Sequence, residues 1–392
     1  MKSKIHIKRL QACKELFPNF EIERNQIKYN SGTWKVFLTH LVLRTRRKTT
    51  LEPICVVLGN EACDLDSAVS ALSLSYYYQE SNQHPEALKC RNFLPVLNIP
   101  KDEYPLKTEV HYLFQQLLLN EEYLTFRDEL SMEFMANSQF VLVDHHASLW
   151  SKQAIAIYDH RPRDDTVELP HNCSLHLELV GSCCTLVAEL MLTAGMTTVK
   201  DTEVLKLLRS AIVLDTVNFS ESAKRATPKD HEICYALEEK LRVISELETR
   251  KELFDNLVKA RSDVRSLTTA QLLRKDMKFI SATQSNRKIA LPGFPMLVEE
   301  FIKKPMAEEA LKEYARTTDS SVILLIGMHV DIDQENNVQR DLGLINIKDP
   351  NLCANIKQKL ETMSEPNLQL QENNDCHFME GCFFKQVKHV PT

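Results

Sequence analysis

The sequence predicts an α/β protein with two domains, the first built on a mostly parallel sheet and the second a smaller α/β domain. Two observations predict this class. Up to about residue 240, short apolar runs bounded by polar clusters alternate with helical segments, which is typical of buried parallel strands and their crossover helices. A highly charged helical stretch at 234–264 follows, and strand and helix patterns then resume to the end of the chain.

These patterns divide the chain into three parts. Residues 1–32 are predicted to be an amino-terminal extension. Residues 33–240 form the first domain, with helices over 34–47 and 68–78, and residues 241–392 hold the linker helix and the second domain. Domains of this size agree with the usual ~150 residues per domain.

Further elements follow in chain order. In the first domain a helix begins after Gly181 and runs to about Thr193, and a helix over 200–210 leads into a strand at 211–214. The second domain is predicted to contain a helix over 267–280, strands at 288–291, 321–330 and 341–347, and a helix over 298–316.

The composition narrows the class of protein. A hydrophobic fraction of 43% is enough for buried cores, and a net charge of −6 argues against a general nucleic-acid binder. No apolar stretch approaches the ~20 residues of a transmembrane helix, and no apolar signal core follows the basic first residues. Because the 11 cysteines are scattered without paired spacing, we expect a reducing compartment and a cytoplasmic protein without a membrane or nucleic-acid partner.

Acidic residues or histidines follow four of the apolar runs at the point where each run ends. These residues are Asp64 and Asp66, Asp144 with His145 and His146, Asp159 with His160, and Asp215. The carboxyl ends of parallel strands meet in one crevice, where such sheets bind their ligands. Clustered carboxylates with a few histidines favour Mg²⁺ or Mn²⁺ over a structural zinc ion. The sequence therefore predicts a metal-dependent phosphohydrolase.

The spacing of the carboxylates suits two metal ions. Asp64 and Asp66 lie two residues apart on a turn into a helix, so both can reach the same crevice. A central carboxylate such as Asp144 can bridge two ions ~3.5–4 Å apart, which clamp the attacking and leaving oxygens of a phosphoryl transfer. Taken alone, an Asp after a strand is usually a turn or N-cap residue. Four such sites at consecutive run ends, two of them with histidine, favour the metal interpretation.

These motifs resemble the DHH phosphoesterase superfamily, and the second domain resembles the DHHA2 type shared by family II inorganic pyrophosphatases and exopolyphosphatases. Four stretches look specifically like the prune branch of that superfamily: 57–67, 178–183, 226–230 and 272–276. The likeness runs from about Trp34 to the end of the chain and leaves residues 1–32 uncovered.

The resemblance implies a role for each matching residue. One divalent ion, Mg²⁺ or Mn²⁺, is expected on Asp64 and Asp144, and a second on Asp66, Asp144, His160 and Asp215. The pyrophosphatase pattern has histidines where Asn60 and Arg161 stand. An amide oxygen is a weaker metal ligand, whereas an arginine forks onto phosphate oxygens. We therefore assign Asn60 and Arg161 to substrate binding, and both departures point to the prune-like enzymes.

The resemblance also suggests groups for proton transfer and substrate contact. His145 and His146 either move a proton in catalysis, together with Arg161 at the catalytic centre, or orient Asp144. Lys278 matches a family lysine that faces substrate. A Ser-Arg-Lys motif of the family is replaced here by a stretch in which Lys385 is the candidate substitute. We expect the second domain to close over an active site in the cleft between the two domains.

The resulting hypothesis is a two-metal exopolyphosphatase that cleaves short-chain polyphosphate by attack of a metal-activated hydroxide. The resemblance also raises cyclic-nucleotide phosphodiesterase activity. Two alternatives stay open. One is a regulatory or scaffold protein of low activity that binds a nucleoside diphosphate kinase, and the other is a family II inorganic pyrophosphatase.

Overall fold

The structure is a computed structural model that describes residues 54–81, 92–281, 287–331, 337–364 and 368. It also describes the backbone of four short strands outside these ranges, and no side chain of 330, 331 or 337 is described. The helix predicted over 34–47 lies outside the described residues. The chain forms two compact units. The first unit consists of the residues up to Ile99 together with Leu113–Phe254. The second unit consists of Pro100–Tyr112 together with the residues from Asp255 onward.

A parallel sheet forms the core of the first unit. Its strands are β3 (Ile54–Leu58), β4 (Asn92–Val96), β5 (Gln139–Val143), β6 (Ala154–Asp159) and β7 (Ser174–Leu177). Two short strands that precede them in the sequence, β1 (Ile22–Glu23) and β2 (Gln26–Ile27), pair antiparallel in a sheet of their own. The order in the parallel sheet is β4-β3-β5-β6-β7, and all neighbours in it are parallel. The chain moves outward from β3 in one direction and from β5 in the other. The boundary between β3 and β5 is therefore the topological switch point, where such folds bind ligands.

Seven α-helices are described between Leu65 and Ser262. They are α1 (Leu65–Ser81), α2 (Thr108–Gln116), α3 (Met132–Ala136), α4 (Cys183–Thr193), α5 (Thr202–Asp215), α6 (Pro228–Ile244) and α7 (Arg250–Ser262). Helix α1 packs against β3, β4 and the helices α4 and α5, which explains why most of its residues are buried. The helices predicted over 68–78 and after Gly181 are confirmed as α1 and α4.

One predicted strand in this unit is wrong. The apolar run 211–214 is the last part of α5, which continues without a break from Thr202 to Asp215. The stretch from Thr202 to Asp215 contains no Gly, Pro or Asn, so nothing in the sequence ends the helix before residue 211. A short buried apolar run does not distinguish a strand from a buried helical turn.

A second sheet forms the other unit. Its strands are β8 (Asp276–Ser281), β9 (Lys288–Phe294), β10 (Val322–Asp331), β11 (Asn337–Asn346), β12 (Leu370–Glu372) and β13 (Phe383–Val387), in the order β12-β13-β11-β10-β9-β8. Strands β9 and β10 are parallel, and the other described neighbours are antiparallel. The helices are α8 (Thr269–Lys275), α9 (Val298–Ile302), α10 (Ala307–Thr318) and α11 (Pro350–Thr362). Apolar residues of α8, α9 and α10 share one core with β9 and β10.

Two predicted helices of this unit are corrected. The helix predicted over 267–280 ends at Lys275, because the residues after it form β8 and pair antiparallel with β9 along its whole length. The helix predicted over 298–316 is two helices separated by residues 303–306, which include Pro305. Proline lacks the N–H that a helix interior needs. No helix in the described part of the chain is long and apolar enough to cross a membrane.

Candidate active site

A tight turn leads from β3 into α1 at the switch point. Gly59 stands where a Cβ atom would lie 2.3 Å from the Oγ of Ser67 in the first turn of α1. That hydroxyl accepts a hydrogen bond of 2.7 Å from the backbone N–H of Asn60. Asp64 caps the helix, since its Oδ1 accepts from the backbone N–H of Ser67 over 3.1 Å. The glycine therefore allows the acidic turn to fold closely onto the start of α1.

Asp144 follows β5 directly and is almost completely buried, at 1% exposure. Its φ of 61° lies in the left-handed region, which non-glycine residues seldom adopt, although Asp does so more readily than most. Its backbone N–H still donates to the carbonyl of Tyr158 in β6 over 2.8 Å. The strained turn is thus fixed to the neighbouring strand.

Three side chains converge here with atoms that suit a cation. One ligand atom from each of Asp66, Asp144 and His160 lies within 4.8 Å of the other two. The Nε2 of His160 lies 3.1 Å from Oδ1 of Asp144 and 3.8 Å from Oδ2 of Asp66. The ring is oriented through its other nitrogen, because Nδ1 donates to the carbonyl of Val180 over 3.0 Å. An imidazole anchored in this way to a backbone carbonyl is typical of a metal ligand.

Asp66 is held by the amino terminus of helix α4. The backbone N–H groups of Cys183 and Cys184 donate to its two carboxylate oxygens over 2.7 and 2.8 Å. The hydroxyl of Ser182, the N-cap of α4, donates to Oδ1 over 2.7 Å. Helix amino termini stabilise negative charge, so this arrangement suits a buried carboxylate next to Asp144.

Asn60 contacts Asp144 through its amide nitrogen. Nδ2 donates to Oδ2 of Asp144 over 2.6 Å. The amide oxygen accepts from the backbone N–H groups of Ala62 and Cys63 over 2.9 and 3.1 Å. Because backbone N–H groups can only donate, the orientation of the amide is determined. The side-chain oxygen of Asn60 is therefore already engaged in hydrogen bonds within its own turn.

Arg161 and Asp159 complete the charged surroundings of Asp144. The Nη1 of Arg161 lies 2.9 Å from Oδ1 of Asp144 and 3.3 Å from Oδ1 of Asp159, and it also donates to the carbonyl of Asp144. Asp159 is fully buried and accepts the backbone N–H groups of His160 and Arg161 over 2.8 and 3.2 Å. It therefore fixes the loop that carries both residues.

The two histidines after Asp144 have different surroundings. Nδ1 of His146 lies 2.5 Å from Oδ2 of Asp159, and its Nε2 accepts the backbone N–H of Asp164 over 2.9 Å. His146 thus has its proton on Nδ1, and both nitrogens are engaged. His145 donates from Nδ1 to the carbonyl of Val143 over 2.9 Å. Its buried Nε2 has no hydrogen-bond partner among the described residues.

Burial and crowded charge shift the pKa values of the central groups. Burial and the charge of Asp66 raise the pKa of Asp144 from 3.8 to about 7. Burial alone would lower the pKa of His160, but its hydrogen bond to Asp144 and the charge of Asp66 outweigh that effect and raise the pKa to about 9. Without a cation, the cluster therefore holds protons in the neutral range.

The donor set fits a divalent metal ion. Two buried carboxylates and one oriented imidazole supply hard oxygen and nitrogen ligands. Burial, followed by the charge of Asp66, raises the pKa of Asp144, and a bound cation would favour the charged form of this carboxylate again. Asp66, Asp144 and His160 would hold such an ion, and the charge of Asp64 is close enough to raise the pKa of Asp144 further.

The remaining predicted site residues are on other elements of the fold. Asp215 is the last residue of α5 and is half-buried. Lys278 is exposed on β8 in the second unit. Lys385 lies in β13, paired in register with Leu342, and its side chain is outside the described residues.

The sequence does not predict two sets of contacts in the site. The structure shows that Asp159 orients His146 and Arg161, and that Ser182 with the start of α4 holds Asp66. The position of Asp159 at the end of a strand was a usable signal for the first. The second depends on a contact between residues more than a hundred positions apart, which no local pattern indicates.

Comparison with known proteins decides the family. The DHHA2 domain family matches residues 255–388. Human exopolyphosphatase PRUNE1 is 35% identical over 335 residues, which are 83% of this chain and 70% of that protein. The chain belongs to the prune-type exopolyphosphatases. This membership confirms the predicted family, fold class and enzyme class, a hydrolase.

Other prune-type exopolyphosphatases show the same degree of likeness. The rat exopolyphosphatase PRUNE1 is 37% identical over 300 residues, covering 74% of this chain and 63% of the rat protein. Among solved structures, a Methanococcus jannaschii protein assigned to the family II inorganic pyrophosphatases is 21% identical with a TM-score of 0.49. That alignment covers 79% of this chain and 91% of the other, and the likeness is too weak to bear on function.

Proposed function

We propose that this chain is a divalent-metal-dependent exopolyphosphatase that cleaves phosphoanhydride bonds of short-chain polyphosphate. The observation that carries the proposal is the convergence of Asp66, Asp144 and His160 at the carboxyl ends of β3, β5 and β6. Relatives named exopolyphosphatase, 35–37% identical, support the substrate class.

The carboxylates are proposed to hold two ions, Mg²⁺ or Mn²⁺. Asp66, Asp144 and His160 would bind one, and Asp64 with Asp144 the other, with Asp215 as a further candidate ligand. Bound divalent ions neutralise phosphate oxygens and lower the pKa of a coordinated water towards neutrality. The backbone and hydroxyl donors around Asp66 keep its carboxylate in place while substrate enters and leaves.

Arg161 is proposed to bind the substrate's phosphate oxygens. Its side chain is half-exposed, so part of the guanidinium faces solvent next to buried Asp144. Guanidinium groups donate in a planar fork that fits phosphate, which a lysine ammonium does not reproduce. Lys278, exposed on β8, and Lys385 are proposed as further phosphate contacts on the strength of the family resemblance.

His145 is proposed to exchange a proton at Nε2. Burial lowers the pKa of His145, so the ring is neutral at pH 7. Since Nδ1 donates to a backbone carbonyl, Nε2 carries a lone pair and can accept a proton. His146, whose two nitrogens are both engaged, is proposed to position Asp159 and the loop after it.

Phosphate release from a panel of substrates tests this function. Pyrophosphate, tripolyphosphate, tetrapolyphosphate and long-chain polyphosphate would each be assayed with Mg²⁺, with Mn²⁺ and with chelator. We expect turnover to peak on tri- or tetrapolyphosphate and to disappear with chelator. Arg161→Lys should raise KM at least tenfold, whereas Arg163→Lys, at an exposed arginine paired with Asp165, should match the wild type.

Either of two results would contradict the proposal. Absence of turnover in a folded, metal-binding protein would favour the regulatory alternative. Pyrophosphate as the best substrate would favour the pyrophosphatase alternative. Asn60→His separates the latter further, because a large gain in pyrophosphate hydrolysis would mark Asn60 as the residue that selects the longer substrate.

One observation favours an organic phosphate ester as a second substrate class. A cavity of about 770 Å³ in the first unit has Asn60, His145, Leu149 and Trp150 among its lining residues. Aromatic and aliphatic walls of this kind suit a base or another apolar group. Cyclic AMP is therefore included as a substrate in the same assay. Ala147 lies on the cavity wall, so Ala147→Trp should reduce the hydrolysis of cyclic AMP more than the hydrolysis of tripolyphosphate. Equal effects on both substrates would count against the ester.

A nucleoside diphosphate kinase partner and a cytoplasmic location both stay predictions. No contact of the described residues bears on either of them.

A further inference from the structure

A short segment before α4 contacts two of the candidate metal ligands. The carbonyl of Val180 accepts a hydrogen bond from Nδ1 of His160 over 3.0 Å, and the hydroxyl of Ser182 donates to Oδ1 of Asp66 over 2.7 Å. Gly181 lies between these two residues in the chain. The placement of this one segment therefore affects the orientation of both ligand side chains.

Asp230, in the first turn of α6, holds the residue in the middle of that segment. Its Oδ2 accepts the backbone N–H of Gly181 over 2.7 Å, and its Oδ1 accepts the hydroxyl of Thr185, in the first turn of α4, over 2.6 Å. Asp230 and Thr185 are both fully buried. Hydrogen bonds to a carboxylate are shorter and stronger than those between neutral groups. The carboxyl group thus joins the start of α4 and the segment before it to α6.

Position 181 has no room for a side chain. A Cβ atom there would lie 2.8 Å from the carbonyl oxygen of Arg225, 2.8 Å from Cγ2 of Thr216 and 3.0 Å from Oδ2 of Asp230. Thr216 follows Asp215, a further candidate metal ligand, at the end of α5. Glycine therefore allows the segment to pack directly against Asp230 and against the residue after Asp215.

Asp230 also belongs to the cap of its own helix. Its Oδ2 accepts from the backbone N–H and from the hydroxyl of Thr227, the N-cap of α6, over 2.7 Å each. A capping box of this kind needs only the local pair of residues. The contacts with Gly181 and Thr185, which are 49 and 45 positions away, are additional to the cap. Helix capping alone therefore does not account for this carboxyl group.

We propose that Asp230 is a positioning residue of the candidate metal site. Through Gly181 it fixes the segment that orients His160 and Asp66. The inference rests on the proposed metal site, and Asp230 acts on that site through its neighbours rather than as a ligand. Removal of groups that orient metal ligands typically costs 10–100-fold in metal affinity.

The Mn²⁺ affinity of the metal-free full chain, measured by isothermal titration calorimetry at pH 8, tests the proposal. Asp230→Ala removes the acceptor for the N–H of Gly181 and should weaken Mn²⁺ binding about 10–100-fold. Asp230→Asn keeps one oxygen to accept that N–H, and its amide nitrogen can donate to the hydroxyl of Thr185. This variant should therefore restore most of the affinity.

Thr227→Val separates the positioning role from the capping role. It removes a hydroxyl that bonds Asp230 but leaves the contact between Asp230 and Gly181 in place. Because the helix cap is weakened, the melting temperature in chelator should fall, whereas the Mn²⁺ affinity should stay at the wild-type value. Gly181→Ala has the opposite character. It leaves the cap intact and displaces the segment, so it should weaken Mn²⁺ binding about tenfold.

Wild-type Mn²⁺ affinity in folded Asp230→Ala would overturn the proposal and leave Asp230 as a helix cap. An equal loss of affinity in Thr227→Val and Asp230→Ala would also overturn it, because the stability of α6 would then control metal binding. If Asp230→Ala fails to fold, Gly181→Ala decides in its place, and unchanged affinity in that variant would refute the inference. Absence of Mn²⁺ binding by the wild type would instead refute the proposed metal site itself.

Discussion

The side-chain amide of Asn60 donates to the carboxylate of Asp144 over 2.6 Å and thereby joins the turn after β3 to the turn after β5. The same amide uses its oxygen to close its own turn, through the N–H groups of Ala62 and Cys63. Asn60 thus stabilises the central carboxylate by a neutral donor. A metal ligand at this position would have to give up that contact.

Replacing Asn60 by Asp should destabilise the metal-free protein. The new carboxylate keeps the turn's acceptor but puts negative charge beside Asp144, and a lost hydrogen bond to a charged group costs about 1.5–3 kcal/mol. Thermal unfolding with chelator at pH 8 measures the loss, and Mn²⁺ should reverse it. Asn172→Asp, at an exposed loop position, is the control. Equal stability of Asn60→Asp and wild type in chelator would contradict the contact.

Substitutions of His146 should affect stability according to which nitrogen they imitate. Asn places its amide nitrogen near the Nδ1 position and can still donate to Asp159, whereas Gln reaches the Nε2 position and leaves Asp159 without this donor. We expect His146→Gln to lower the free energy of unfolding by about 1–3 kcal/mol more than His146→Asn. Denaturant unfolding at pH 7 measures both. A larger loss of stability in His146→Asn than in His146→Gln would show that the hydrogen bond to Asp159 is not the main stabilising contact of His146.

Metal binding should strengthen with pH and release protons. The ligands must be deprotonated to bind a cation, and the pKa values of Asp144 and His160 are raised to about 7 and about 9. The proton-bound cluster stabilises the metal-free fold at low pH, and that contribution is lost as the pH rises through these values. Stabilisation by Mn²⁺ over chelator should therefore grow from pH 6 to pH 9. Calorimetry in buffers of different ionisation enthalpy counts the protons, and affinity independent of pH would refute this.

Glu238 should be a main stabilising charge of the first unit. It is buried and bonds Arg209 over 2.9 Å and Arg250 over 2.9 Å, tying α5, α6 and α7 together. Burial opposes its charge, but the two arginines lower its pKa below 4.5, so its contribution is present above that value and lost as the pH falls through the lowered pKa.

Glu238→Gln leaves buried Arg209 poorly paired and should cost about 3–5 kcal/mol at neutral pH. Chemical unfolding at pH 7 compares it with Glu239→Gln, which alters an exposed neighbour paired with Arg242. A difference between the two variants of less than about 1 kcal/mol would show that the network contributes little.

The sequence predicts the parallel sheet and the positions of the acidic motifs well. Strands β3, β5 and β6 are apolar runs that end in polar clusters, so their buried pattern and their loop residues can be identified locally. The run before Asp215 is equally apolar but helical, because its neighbours continue an established helix. Local apolar character alone does not separate these cases.

The contacts that shape the site are less predictable. Two of these contacts join parts of the chain that are distant in sequence and meet only in the folded protein. They are the hydrogen bonds from the start of α4 to Asp66 and the hydrogen bond from Asn60 to Asp144. The change from α8 to β8 at Asp276 is likewise decided by pairing with β9 rather than by local propensity. Such features depend on tertiary contacts, so they follow from the structure and not from periodicity.

The most direct test of the account is tripolyphosphate hydrolysis by Asp144→Asn, compared with wild type and with Asp165→Asn, an exposed carboxylate in the following loop. If Asp144 is the central metal ligand, its variant should fold, bind Mn²⁺ much more weakly and lose at least a thousandfold in kcat/KM. Asp165→Asn should keep wild-type activity. Full hydrolysis by a folded Asp144→Asn would contradict the proposed metal-dependent mechanism.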